Sequence, residues 1–271
     1  MNLNMIPRII HYCWFGGNPL PDDEKKCIAT WKKYFPDYEI TEWNETNFDL
    51  EICDYVKEAY QAKKWAFVSD YARFWILYHY GGLYFDTDVE VIKPMDDLIE
   101  RGSFMGEEAG LPDNNSGCNP GLGLAAAPGL GLYREILDYY EHQHFLNPDG
   151  SINQETVVTR TSNILKRHGF KGNGYIECID GVYIYPPEYF CPVNYSTGIT
   201  TITENTRSIH HYSATWHSGL EELIIKIERC SKGTASAEYK LRRIVSLPFR
   251  VVNKFKTRRL DGVMKTIARH L

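Results

Sequence analysis

Short apolar runs alternate with helical patterns over the first 90 residues, and this order constrains the fold more than any other feature of the chain. Ile9–Trp14 is an apolar run that ends at a Gly/Asn/Pro cluster, which predicts a short buried strand. Acids at 22–24 favour the first turn of a helix that runs to about Tyr34, and Tyr38–Trp43 predicts a second strand. Strand, helix and strand in this order favour an α/β sheet.

A longer helix leads into an acidic motif. Apolar and aromatic residues recur at helical spacing from Lys63 to Tyr80, and Gly81-Gly82 ends the pattern. Leu83–Phe85 then reads as a buried strand that runs directly into Asp86-Thr87-Asp88. Further along the chain, the pattern predicts strands near 89–92, 103–106, 123–127, 182–185 and 208–212, and helices near 129–145, 153–167 and 219–230.

The setting of Asp86-Thr87-Asp88 carries more information than the motif. A bare D-x-D is expected about once by chance in a chain of this length and Asp content. Here the two acids follow a hydrophobic strand, at the edge where open α/β sheets bind ligands. Two carboxylates at this spacing can face one hard cation, with diphosphate oxygens and water completing its shell. The alternative is a turn of solvated acids.

A second charged pair precedes this strand. Asp70 and Arg73 lie one helical turn apart, so they share a helix face just before the Gly-Gly stop. An Asp there can accept hydrogen bonds from sugar hydroxyls, and the fixed fork of an Arg can bind sugar or phosphate oxygens. On these residues alone, an ordinary surface ion pair explains the pattern equally well.

Composition narrows the classes of protein. Seven Cys are scattered without a C-x-x-C pair, which argues against a disulfide framework or a zinc ribbon and for a reducing compartment. The N-terminus lacks the pattern of a signal peptide, and no window approaches the ~20 apolar residues of a membrane span. We therefore expect a cytoplasmic protein that is either free or peripheral at the inner face of the membrane. The 19 Tyr and 6 Trp suit stacking on sugars or bases as well as a Tyr-rich core.

Charge is distributed unevenly along the chain. Residues 239–271 carry ten Lys/Arg and one Asp, a net +9 that leaves −14 on residues 1–238 of a chain whose total is −5. We expect one domain at 1–230 and a basic, amphipathic, helical tail at 231–271. Apolar residues interleave with the basic ones, so the tail either docks on an anionic membrane surface or packs on the acidic body. The acidic body argues against nucleic acid as a partner.

Three segments carry a resemblance to a known family. The run AFVSDYARFWILYHYGGLYFDTDVEVIKP resembles the signature of the DXD-containing sugar transferases. That family includes bacterial capsular-polysaccharide transferases, fungal initiating mannosyltransferases and the glucosyltransferase domains of the large clostridial cytotoxins. The opening IPRIIHYCWFGG is similar to the family's first strand, and SIHHYSATWH resembles its closing segment. The resemblance covers residues 5–110 closely and 205–217 more loosely.

This resemblance implies a fold and an activity. The fold is an α/β sandwich of the GT-A type with a mixed, mainly parallel central sheet, to which the basic helical tail is appended. The activity is a metal-dependent, retaining transfer of a sugar from a UDP- or GDP-sugar donor to a glycan or lipid-linked glycan acceptor, in the synthesis of capsular or other surface polysaccharide. The metal is Mn²⁺ or Mg²⁺, held at the donor diphosphate.

The resemblance also implies the roles of individual residues. In related transferases an aromatic in the place of Trp14 stacks on the donor base, and a His or Glu about five residues before a Trp completes the metal shell. His211 stands five residues before Trp216, which selects it over His210. The implied residues are, for catalysis, Asp70, Arg73, Asp86 and Asp88; for the donor, Trp14, Tyr84 and Trp216; and for the metal, Asp86, Asp88 and His211. Glu107, Glu108 and Asn119 either line the acceptor side or belong to an ordinary polar loop.

Two other classes of protein stay open. A haloacid-dehalogenase-like phosphatase would use Asp86 as nucleophile and Asp88 as acid, but no convincing Gly-Asp-x-x-x-Asp follows residue 88. A non-catalytic carbohydrate-binding protein would also account for the Tyr and Trp content. Metal-dependent hydrolysis of a nucleotide sugar would exclude the non-catalytic alternative.

Overall fold

The computed structural model describes residues 5–108, 117–153, 155–193 and 200–213. Its strands are β1 (Ile9–Cys13), β2 (Glu39–Trp43), β3 (Gly82–Tyr84), β4 (Val89–Val91), β5 (Phe104–Glu108), β6 (Gly117–Cys118), β7 (Leu124–Ala126), β8 (Glu177–Ile179), β9 (Val182–Tyr185) and β10 (Ser208–His210). Its helices are α1 (Asp22–Tyr34), α2 (Asp54–Gln61), α3 (Trp65–Tyr80), α4 (Asp96–Arg101), α5 (Gly131–Glu141), α6 (Val157–Arg167) and α7 (Pro187–Phe190). Within these ranges no helix has the length and apolar character needed to cross a membrane.

The central sheet is mixed. Its strands follow the order β2-β1-β3-β7-β5-β9-β8, and β6 pairs with β5 at the side of this path. Strands β2, β1 and β3 are parallel to one another, and β9 is parallel to β5. Strand β7 runs antiparallel to both β3 and β5, and β8 runs antiparallel to β9. Five of the seven strands on this path therefore share one direction, which confirms the predicted mixed, mainly parallel α/β sheet.

Alternation along β3 distributes the core between the two faces of the sheet. Leu83 and Phe85 pack with Trp31 of α1, whereas Tyr84 packs with the helices α2, α3, α5 and α6. This follows from strand geometry, because successive side chains point to opposite faces. The Trp31 indole also donates to the carbonyl O of Val89 at 2.7 Å, so α1 is tied to the segment that follows the acidic motif.

The Gly-Gly pair turns the chain from α3 into β3. Gly81 caps α3 through its N–H to Leu77 O at 2.9 Å, and Gly81 and Gly82 have φ of +65° and +101°. A Cβ on Gly82 would lie 2.6 Å from the Ile9 carbonyl O, so any larger residue would push β3 away from β1. His11 closes the turn from β1, with its Nε2 3.0 Å from Gly81 O. The glycines therefore fix where α3 ends and where β3, the strand that leads to Asp86, begins.

Other parts of the chain differ from the sequence prediction or lie outside the described residues. Helix α2 has no counterpart in the predicted elements, although it packs in the core through Tyr55, Val56 and Ala59. Contacts within the chain divide it into two units. The first unit comprises Met1–Pro192 and Thr201–Tyr212, and the second comprises Val193–Thr200 and Ser213–Leu271. Most of the second unit lies outside the described residues, as do the predicted helix at 219–230 and the tail at 231–271. The predicted boundary at residue 230 stays a prediction.

Candidate active site

Two of the acids predicted for catalysis lie beside the carboxyl end of β3, in the first unit. Asp86 lies two residues beyond the end of β3, and Asp88 directly precedes β4. Strand β3 is parallel to its neighbour β1, so this edge also receives the residues that follow Cys13. The position is the one where open α/β sheets bind ligands.

Arg73 joins the predicted pair on α3 to the acidic motif. Its Nη2 lies 3.1 Å from Asp70 Oδ1 and 3.2 Å from Asp86 Oδ1, and its Nε donates to Ser69 O at 3.0 Å. Tyr84 donates from its hydroxyl to Asp86 Oδ1 at 3.1 Å, and its ring lies 5.1 Å below the guanidinium. Arg73 is 3% exposed, so the pair is not the surface ion pair that the sequence left open.

The two carboxylates that share Arg73 differ electrostatically. Burial raises the pKa of Asp70 to about 6, and Arg73 only partly opposes that shift. Burial acts in the same direction on Asp86, but Arg73 and His210 outweigh it and lower the pKa of Asp86 below its usual value. Asp86 is therefore held ionised, whereas Asp70 changes charge within the range of ordinary assays.

The structure brings His210, and not His211, to the acidic motif. His210 Nε2 lies 3.3 Å from Asp88 Oδ1 and 3.9 Å from Asp86 Oδ2, with 7% of the residue exposed. His211 instead lies on the outside, with its Nε2 2.9 Å from Glu90 Oε2. Pairing of β10 with β4 explains the difference, because neighbouring residues of a strand face opposite ways and Ser208 and His210 share the buried face.

The environment of His210 is acidic. Burial opposes protonation, but the Asp88 and Asp86 carboxylates outweigh it and raise the pKa of His210 above its ordinary value. Its other ring nitrogen, Nδ1, is buried and has no hydrogen-bond partner among the described residues. The ring packs edge-on against Tyr212 at 4.2 Å, which fixes its plane.

Residues predicted for the acceptor side lie next to Asp86. Glu108 and Asn119 are buried, and Asn119 Nδ2 donates to Glu108 Oε2 at 2.6 Å. Asn119 Oδ1 accepts from the Gly121 N–H at 2.8 Å. The backbone at Gly121 packs directly against the Asp86 carboxylate, because a Cβ on Gly121 would overlap Asp86 Oδ2. Glu107 is fully buried on β5.

Trp14, predicted to stack on the donor base, is half-buried at the end of β1. Its Nε1 donates to Asn18 O at 2.6 Å across the Gly16-Gly17 turn. The indole of Trp65 on α3 packs directly against this turn. A Cβ on Gly16 would lie 2.5 Å from Trp65 Nε1, so the contact requires glycine at this position. Trp216 lies outside the described residues.

The donor set suits a divalent cation. Asp86 and Asp88 supply carboxylate oxygens and His210 an imidazole nitrogen, and this mixture is compatible with Mn²⁺ or Mg²⁺. In the part of the chain that the structure describes, no three His, Cys, Asp or Glu side chains are already drawn into a metal centre. His210 lies against the carboxylates of Asp86 and Asp88 in this structure, so a cation bound between the two carboxylates would replace the contacts that His210 makes with them.

Sequence reasoning missed two contributors to this site, His210 and Gly121. The alternation of Ser208-Ile209-His210-His211 does not reveal His210, because an apolar Ile209 would be expected to face the core together with His211, whereas the structure buries Ser208 and His210. The signal for Gly121 was absent, because the Gly-rich stretch around it gives no indication of which glycine contacts a carboxylate.

Comparisons with known proteins agree with this geometry. Residues 21–105 match the model of a family described as "Glycosyltransferase sugar-binding region containing DXD motif". Inositol phosphoceramide mannosyltransferase 1 of Schizosaccharomyces pombe is 32% identical over 114 residues, which cover 38% of this chain and 34% of that protein. An uncharacterized glycosyltransferase of Acanthamoeba polyphaga mimivirus is 33% identical over 110 residues, which cover 37% and 42%.

Among solved structures, one titled PaToxG glycosyltransferase has a TM-score of 0.44 at 17% identity, covering 60% of this chain and 70% of that one. The chain spans about a third of the length of the first curated relative it matches. The matched segment contains the Arg73 ion pairs, the Gly-Gly turn and both motif acids. Residues 21–105 are therefore similar to the glycosyltransferase sugar-binding region that contains a DXD motif.

Proposed function

We propose that this chain is a metal-dependent, retaining glycosyltransferase that moves a sugar from a nucleotide diphosphate to a glycan acceptor. The observation that carries the proposal is the placement of Asp86, Asp88 and His210 around one point, with Arg73 behind Asp86. Proteins of the DXD family typically bind a divalent cation, and the ligand set proposed for this chain is Asp86, Asp88 and His210. His210 replaces His211 because only His210 lies near both carboxylates.

The chemistry needs negative charge to be stabilised on the leaving diphosphate. Cleavage of the C1–O bond of a sugar diphosphate leaves charge on the β-phosphate while the sugar becomes oxocarbenium-like. A bound divalent cation supplies Lewis-acid stabilisation of that charge. Arg73 keeps Asp86 ionised and oriented from the buried side. Preorganised charges of this kind need no reorganisation during the reaction, which is the main source of their effect.

Asp70 and the Asn119 loop act on the two sugars. Asp70 has its Oδ1 on Arg73, and its carboxylate is proposed to accept hydrogen bonds from donor-sugar hydroxyls. Glu107, Glu108 and Asn119 are proposed to line the acceptor side, because Asn119 and Gly121 connect Glu108 to the edge of Asp86. Trp14 is proposed to stack on the donor base from the end of β1.

The donor base, the sugar and the acceptor belong to the same proposal. Similarity to the inositol phosphoceramide mannosyltransferase of S. pombe makes mannose and an inositol phosphoceramide acceptor the first to test. A lipid-linked glycan acceptor on the inner face of the membrane would place this chain in capsular or other surface polysaccharide synthesis. The +9 tail at 239–271 would then bind anionic lipid. Cosedimentation with anionic vesicles should be lost in a form that ends at Lys232, and equal binding by the two forms would remove the tail from the proposal.

The phosphatase alternative is less well supported. Asp86 Oδ1 is engaged by Arg73 and Tyr84, and residues 21–105 match a glycosyltransferase family. A non-catalytic sugar-binding protein has no need for two acids placed around a buried His.

One experiment tests the proposal. The full chain is incubated with UDP- and GDP-sugars, including GDP-mannose, with Mn²⁺, with Mg²⁺ and with EDTA, and release of nucleoside diphosphate is measured. We expect release with at least one donor and one metal, and none in EDTA. Release of inorganic phosphate from phosphomonoesters would favour the phosphatase, and equal turnover in EDTA would contradict the proposal.

A further inference from the structure

A carboxylate outside the site described above holds the glycine turn that follows β1. Glu45 lies two residues beyond the end of β2, and β1 and β2 are parallel neighbours, so their carboxyl ends meet at the same edge of the sheet. Glu45 Oε1 accepts from the Gly16 N–H at 2.6 Å. A carboxylate forms a stronger hydrogen bond with an N–H than a neutral acceptor does, so this contact links the two strand ends firmly.

The turn needs such a link because two glycines form it. Gly16 and Gly17 have φ of +97° and +66°, in the region that glycine enters freely. Glycine also has more backbone freedom than any other residue, so the turn is not fixed by its own sequence. The Trp14 side chain crosses this turn, because its Nε1 donates to Asn18 O at 2.6 Å. Movement of the turn would therefore carry the Trp14 ring with it.

Two aromatic side chains hold Glu45 from the other side. Tyr60, near the end of α2, donates from its hydroxyl to Glu45 Oε1 at 3.2 Å. The Tyr60 ring packs against the Trp65 ring at 4.9 Å, and the Trp65 indole packs against Gly16. Glu45 Oε1 therefore receives two hydrogen bonds, which join the glycine turn to the connection between α2 and α3.

We propose that Glu45 is a positioning residue for the donor: its carboxylate fixes the Gly16-Gly17 turn and thereby holds the Trp14 ring in place for the base of the nucleotide sugar. This inference rests on the stacking role proposed above for Trp14. A ring that is already fixed loses little conformational freedom when the base binds, which favours affinity. Neither hydrogen bond of Glu45 involves the motif acids, so its effect should fall on the base and spare the diphosphate.

The test is calorimetric titration of the full chain, with Mn²⁺ present, by UDP, by GDP and by inorganic pyrophosphate, which has the diphosphate but no base. The variants are Glu45→Ala, Glu45→Asp and Glu45→Gln. The matched control is Glu177→Ala, because Glu177 Oε1 also accepts from a glycine N–H, that of Gly172 at 2.9 Å. Glu177 belongs to β8, at the opposite end of the strand order from β2.

The variants should separate the base from the diphosphate. Glu45→Ala should weaken binding of the nucleoside diphosphate that wild type prefers about 10-fold and leave binding of pyrophosphate unchanged. Glu45→Asp should behave alike, because a side chain shorter by one methylene withdraws the carboxylate from Gly16. Glu45→Gln should retain most of the affinity, because its amide oxygen still accepts from the N–H. Glu177→Ala should bind both ligands as wild type does.

Dependence on Trp14 is measured by a double variant. If Glu45 acts through Trp14, Glu45→Ala should cause little further loss in a Trp14→Ala background, and a full further loss would overturn the inference. Parallel loss of the nucleoside diphosphate and of pyrophosphate would assign Glu45 to the general structure and also overturn it. Should Glu45→Ala fail to fold, Glu45→Asp decides with the same ligands. Full binding by every Glu45 variant would overturn the inference and leave the proposed function intact, whereas no binding of UDP or GDP by wild type would overturn both.

Discussion

His11 should make the fold sensitive to acid, and the structure gives the reason. The Trp43 indole N–H can only donate, and it lies 3.1 Å from His11 Nδ1. Nδ1 must therefore be the acceptor, so Nε2 carries the proton and donates to Gly81 O at 3.0 Å. A second proton would place an N–H against the N–H of Trp43 inside the core. Burial lowers the pKa of His11 to about 4, and the bond to Gly81 only partly opposes this.

The magnitude follows from linkage. The pKa is lowered on folding, so below about pH 6.5 the unfolded chain takes up a proton that the folded chain refuses. Stability is therefore complete above that pH and is lost as the pH falls toward about 4. Each unit of difference between the folded and the unfolded pKa corresponds to about 1.4 kcal/mol of unfolding free energy. Protonation linked to His11 should therefore lower the free energy of unfolding by about 2 kcal/mol between pH 8 and pH 5. Since His11 closes the turn that precedes β3, the strain should fall on the strand that presents Asp86.

Urea unfolding followed by tryptophan fluorescence measures this effect. The free energy of unfolding is compared for wild type and His11→Gln at pH 8, 7, 6 and 5, so that all other titrating groups cancel in the difference. We expect His11→Gln to be the less stable protein at pH 8 and the gap to shrink by about 2 kcal/mol at pH 5. His142→Gln, at an exposed His after α5, should show no such change. A gap that stays constant from pH 8 to pH 5 would refute the reasoning.

The remaining predictions concern the site. Asp88→Ala should abolish turnover and leave thermal stability nearly unchanged, because it removes a proposed metal ligand and no core packing; activity near wild type would contradict the role. His210→Ala should raise the Mn²⁺ concentration for half-maximal activity about 10-fold or more, whereas His211→Ala should have little effect, and a metal titration of both variants checks the order. Gly121→Ala should lower kcat by displacing Asp86, while Gly131→Ala, at a glycine with open space around it and no positive φ, serves as the control; equal rates would show that the loop yields. Trp14→Ala should weaken binding of the free nucleoside diphosphate about 5- to 150-fold, as expected for a stacked base, and unchanged binding by a folded variant would assign Trp14 to the core instead.

The sequence predicted the elements that have a simple local cause. Helix α1 begins at the predicted residue 22 because three acids occupy its first turn, and α3 ends where Gly81 leaves the helical region. Strands β1 and β3 follow from apolar runs bounded by glycine. The ion pair of Asp70 and Arg73 was predicted as a pattern, but its burial and its bridge to Asp86 depend on how α3 packs against the sheet. Spacing along one helix does not report that packing.

Other features depend on contacts between distant segments. Helix α2 was missed because it is only eight residues long, and its place in the core depends on packing against α3 and α5. Arg160 on α6 belongs to no sequence motif, and only the tertiary structure brings its guanidinium to 4.9 Å from the rings of Tyr55 and Tyr140. Gly121 lies 35 residues from Asp86 in the chain, and only the tertiary structure brings them together.

The choice between the two neighbouring histidines illustrates how a site depends on register. Strand β10 pairs with β4 so that His210 is opposite Val89 and Ser208 opposite Val91. A slip of one residue would reverse the faces and bring His211 to Asp88. Arg207 opposes such a slip, because its carbonyl accepts from Ile92 and its guanidinium binds Asp97 Oδ2 at 2.9 Å. The register of β10 therefore decides which of the two histidines faces Asp88, and counting back from Trp216 could not reveal it.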